Sequence, residues 1–85
     1  MRYTIAAFRS HNEATEALYL LRESGINATL NATPASARVG CGASVRINDA
    51  DTDKAAEIIR SHGFSTLAGL FSAVESKNGL IVTRL

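Results

Sequence analysis

The chain of 85 residues has no tryptophan, one proline, one methionine and one cysteine, and aromatic residues make up only 6% of it. Each scarcity excludes something. Two Tyr and three Phe are too few for a base-stacking platform, and no basic stretch is interleaved with them, so a nucleic-acid partner is not expected. Charge of one sign is also missing: the formal net charge is +1, with Lys and Arg spread along the chain. No uncharged apolar run approaches the roughly 18 residues that a spanning helix needs, so no membrane partner is expected. Met1 leads at once into a strand-like run, with no charged segment, apolar stretch and cleavage site, so no secretory signal is expected. A single cysteine cannot close an internal disulfide. The expected setting is therefore cytoplasmic and reducing, with a free thiol.

Chemical motifs are missing as well. There is no Cys-x-x-Cys, no His-x-x-x-His and no Gly-rich phosphate loop, so neither a metal nor a cofactor is expected. Asp49, Asp51 and Asp53 form an acidic cluster that helix capping explains more simply than a metal. His62 is expected on the inner stripe of a helix or at its C-terminal cap.

What is present is a core. Hydrophobic residues are 46% of the chain and recur periodically, which suits one domain spanning residues 1–85, its core near 3–64. Tyr3 to Phe8 reads as a buried strand. Ser10 with Glu13 is a capping box, and Ala14, Ala17, Leu18 and Leu21 follow at helical spacing. Gly25, with Ile26 packing back on Leu21, ends a helix over residues 11–24. Residues 27–31 form a second strand and 43–47 a third. A second helix, capped by Asn48 or Asp49, carries Ala55, Ile58, Ile59 and His62 on its inner stripe and stops at Gly63. Leu20 to Ile26 lines up with Ile58 to Phe64, a strand–helix–strand grammar written twice. The expectation is an α+β chain of the ferredoxin-like βαββαβ type, a two-layer sandwich. Residues 65–72 are read as a strand hairpinned through Asn78-Gly79 to another over 80–85, although Leu67, Leu70, Phe71 and Val74 also fall at helical spacing.

Cys41 is the one chemically distinctive residue. It sits between Gly40 and Gly42 at the end of a loop, residues 32–42, that is long for a hairpin connection and has no bulky apolar anchor except Val39. In the expected topology this loop shares a rim with the end of the first strand and the start of the first helix. Alternation with Ala43, Val45 and Ile47 turns Cys41 toward the helix-covered side. The N-terminus of a helix lowers a thiol pKa from about 8.5. Arg9, Ser10 and His11 lie at that terminus, and Arg38 rides on the loop as a further cation. The two glycines leave the thiol unscreened.

The segments Ser10…Glu13-Ala14, Leu20-Leu21…Gly25-Ile26, Thr33-Pro34, Cys41-Gly42 and Arg46 together resemble the selenium/sulfur (Se/S) carrier-like family of small prokaryotic domains. The resemblance runs over roughly residues 3–64, and Thr-Pro…Cys-Gly is its specific part. It implies that Cys41 holds sulfur or selenium as a persulfide or selenosulfide and passes it on. It also implies two protein partners, a sulfurtransferase- or desulfurase-type donor and an acceptor. Ala35, Val39-Gly40 and Leu18 depart from the family pattern, which more often has Arg, serines and a polar residue there. Two other readings stay open. One is a regulatory or ligand-binding module, with the homodimer that paired sheet edges allow. The other is an interaction domain that offers its sheet face or last strand.

Overall fold

The computed structural model describes residues 1–34, 37 and 42–85. The elements are β1 (Arg2–Phe8), α1 (His11–Glu23), β2 (Ala28–Ala32), β3 (Ala43–Asn48), α2 (Thr52–His62), β4 (Leu67–Ser76) and β5 (Gly79–Arg84), with a 3-10 turn at Asp49–Asp51. The strands form one five-stranded sheet in the order β2-β3-β1-β4-β5, and every neighbouring pair is antiparallel. The chain is therefore α+β, with two helices and a five-stranded antiparallel sheet among the described residues.

Helix α1 has the ends its sequence announces. Ser10 is extended (φ −100°, ψ 126°), and its Oγ accepts from the Glu13 N–H at 3.4 Å. At the other end Gly25 takes φ +82°, a conformation open to a residue without Cβ. The Ile26 N–H then reaches back to Leu21 O and the Gly25 N–H to Arg22 O, both at 3.0 Å, a Schellman stop. Ala14, Ala17, Leu18 and Leu21 are the buried face, as their spacing requires.

Helix α2 starts later than expected. Neither Asn48 nor Asp49 caps it. The chain makes the 3-10 turn first, and Asp51 precedes the helix without a side-chain bond to it. Thr52 supplies the local order instead: its hydroxyl donates to Asp49 O at 2.8 Å and accepts from Thr4 Oγ1 at 2.6 Å, fastening the turn to β1. His62 departs too. It is exposed, 3.1 Å from Glu16 Oε1 on α1, and its ring lies 4.3 Å from that of Phe64. Only Ala55 and Ile59 of that helix are fully buried.

The sheet is apolar on both faces at its centre, which is why all of Tyr3 to Phe8 is buried. On the helix side Phe8, Leu21, Val45, Ile47 and Ile59 are almost fully removed from water, at about 1.5–3 kcal/mol each. On the other side Tyr3, Ile5, Ala7, Phe71 and Ala73 form a second cluster. Ala37 belongs to it, at 7% exposure, so the connection between β2 and β3 has an anchor that its small residues did not suggest.

Candidate functional site

Pairing brings the expected rim together. Phe8, the last residue of β1, lies opposite Ala43, and Ala43 lies opposite Ala32 at the end of β2. The chain turns from Phe8 through Arg9 and Ser10 into α1, so the start of that helix stands over the end of β1. Arg9 and His11 are exposed and Ser10 is half-buried. An open groove of about 360 Å³ runs along this rim, lined by His11, Leu30, Asn31, Ala32, Gly42 and Ala43.

Gly42 is the tightest point. A Cβ added there would overlap the carbonyl oxygen of Phe8 and lie 3.2 Å from Arg9 Cα. Glycine is required by that approach of two backbones. Openness around a neighbouring thiol, the role expected for it, is a separate matter. Cys41, Gly40 and Arg38 lie outside the described residues. Gly42, bonded to Cys41, is seen against Phe8 and Arg9. Ala43, Val45 and Ile47 do alternate into the helix-side cluster, as the parity argument assumed for β3.

The charge at the start of α1 is arranged in a way the sequence did not reveal. Glu13 does not turn back to the Ser10 amide to complete a capping box. Its Oε1 accepts from the Thr66 N–H at 2.8 Å and from Thr66 Oγ1 at 2.5 Å, and its Oε2 accepts from Ser65 Oγ at 3.0 Å. These bonds, those of Thr66 foremost, hold the Glu13 carboxyl below the ordinary carboxylate range. Thr66 is fixed in turn, because its carbonyl accepts from the Arg9 N–H at 2.9 Å. Thr66 adjoins β4 and Gly42 adjoins β3, on opposite sides of β1, which separates them by roughly 10 Å at 4.8 Å per strand. The one acidic side chain of the first turn is thus drawn away from Gly42.

Two other features were not read as parts of a site. Arg46 lays its guanidinium 3.8 Å from the centre of the Tyr3 ring, on the face away from the helices. Thr33, next to Pro34 in the chain, and Ser44 join their hydroxyls at 2.7 Å. Strand parity alone could have put Tyr3, Ser44 and Arg46 on one face, given the β1–β3 register. Asp49, Asp51 and Asp53 stay near the start of α2. No described helix is long and apolar enough to cross a membrane.

One protein-family model, described as "Putative Se/S carrier protein-like", matches residues 3–68, and the chain belongs to that family. Among curated proteins nothing matches, and no solved structure matches either.

Proposed function

We propose that this member of the Se/S carrier-like family carries a sulfur or selenium atom on Cys41 between two proteins. The observation that carries the reading is family membership in a chain with one thiol. A carrier needs no second cysteine in the same chain. The thiolate of Cys41 attacks the outer sulfur of a donor persulfide. The donor's S–S bond breaks, its thiolate leaves with the electron pair, and Cys41 holds the S–SH group, with no net oxidation. A nucleophile on the acceptor reverses the exchange. A selenium cargo moves in the same way, as a selenosulfide. The donor is a sulfurtransferase or desulfurase, and the setting is cytoplasmic.

An ordinary thiol is only a few per cent ionised at pH 7, so a carrier gains from anything that favours the anion. In this reading the first turn of α1, with Arg9 and His11, does so and Arg38 adds charge, while Glu13 is occupied at Thr66. The fold supports the reading. Element order and strand order, with β5 set aside, support a ferredoxin-like βαββαβ sandwich, in which the end of β2 and the start of β3 stand on the same rim as the start of α1.

The test is uptake of sulfur from glutathione persulfide, followed by intact-protein mass spectrometry. The protein should gain one sulfur that cyanide removes, and Cys41→Ser should gain none. Arg9→Ala and His11→Ala should slow uptake near neutral pH and match wild type once the thiol is fully ionised. Uptake no faster than that of free cysteine, with a pH profile that neither variant moves, would remove the activated-carrier reading.

A further inference from the structure

The sheet face away from the helices holds a second site that the rim chemistry does not use. Tyr3, Ile5, Ser44 and Arg46, with Asn31 and Pro34, line a cavity of about 140 Å³. Its far wall is fastened at two points. Thr33 and Ser44 share the 2.7 Å hydroxyl bond, and the Ala37 N–H donates to Pro34 O at 3.1 Å, with Ala37 buried in the cluster of Ile5 and Phe71. Pro34 is thus tied to the sheet through Thr33 and Ala37.

Its charge is one-sided. Arg46 is half-buried and stacked on Tyr3. Among the described residues its five N–H donors find no carboxylate, and the recorded partner is Met1 Sδ at 3.3 Å, a weak acceptor. None of the described residues that line the cavity is acidic. The shallower depression beside it repeats Arg46 and Asn31, adds Asn27, Thr29 and Asn48, and has no acid either. A guanidinium held in place by an aromatic ring, with amide and hydroxyl donors around it, suits an anion.

Size and floor narrow the class. At about 140 Å³ the cavity is small, with room for a small molecule and not for an extended chain. Ile5, Ala32 and Pro34 make one part apolar, while Asn31, Ser44 and Arg46 make the other polar. We propose that this cavity binds a small monocarboxylate, its carboxylate on Arg46 and Asn31 and its short apolar body over Ile5 and Pro34. The site stands independently of any chemistry at Cys41.

The experiment is an NMR titration of the amides with sodium butyrate, acetate and sulfate at constant ionic strength. Butyrate should shift the amides of Asn31, Ser44 and Arg46 saturably and more tightly than acetate or sulfate. Arg46→Met should weaken butyrate by roughly tenfold or more, the loss expected when a charge-assisted bond goes. Asn31 is exposed on an edge strand, so Asn31→Ala should weaken butyrate several-fold with thermal unfolding unchanged, and it decides the matter if Arg46→Met fails to fold. Shifts that never saturate, or sulfate binding as tightly as butyrate, would overturn the proposal.

Discussion

A methyl group on Gly42 would run into the backbone of Phe8 and Arg9, and backbone cannot swing aside as a side chain can. Gly42→Ala should therefore cost about 1–3 kcal/mol, as overpacking does, and lower the urea midpoint at unchanged slope. A neutral result would mean that the two backbones part easily there. Glu13 gives a prediction with a sign. Its carboxyl is held low in the folded chain, so its contribution is present above the unfolded value near 4.3 and is lost as pH falls through the folded one. The gap in urea midpoint between wild type and Glu13→Gln should be wider at pH 6 than at pH 3. A constant gap would say that the Thr66 bonds do not favour the charged form. At this scale the legible residues were those with local jobs, such as Ser10, Gly25 and Ile26. Thr66 was not legible, because its meaning depends on β4 lying beside β1.

Strand β4 shows why elements can be misread. Ala7 pairs with Gly69 but Phe8 with Leu67, so Ala68 is an extra residue, a bulge. The bulge lets Leu67 and Leu70 contact the helix-side cluster and lets Ala68 and Phe71 join the other. Those three-residue intervals look helical in the sequence, and the Asn78-Gly79 turn was what correctly favoured a hairpin. The bounds shifted even so, to Leu67–Ser76 for β4. Arg84 of β5 crosses close above Gly69 to donate to Ala68 O at 3.2 Å, covering the bulge. Phe71 tests the second face directly. It is 3% exposed although no helix lies over it, so Phe71→Ala should lose about 3–5 kcal/mol. A loss below about 1 kcal/mol would show that the second cluster is only loosely closed.

For the whole molecule, alternating strands and helices were enough to foresee that the end of β1, the start of α1 and the approach to β3 share a rim. The apolar second face was harder to see, because β1 is buried on both sides and Ala37 packs from a loop without periodicity. The late start of α2 was hidden by three acids that all resemble caps, while the fastening is the Thr4–Thr52 hydroxyl pair, 48 residues apart in sequence. The proposed function has Cys41 holding a chalcogen atom in the cell. The most direct measurement is intact-protein mass spectrometry on the chain isolated from its own host without reductant. A fraction heavier by one sulfur or one selenium is expected, removed by dithiothreitol and absent from Cys41→Ser. An unmodified mass for the wild type, under conditions that preserve persulfides on other proteins of the same lysate, would contradict it.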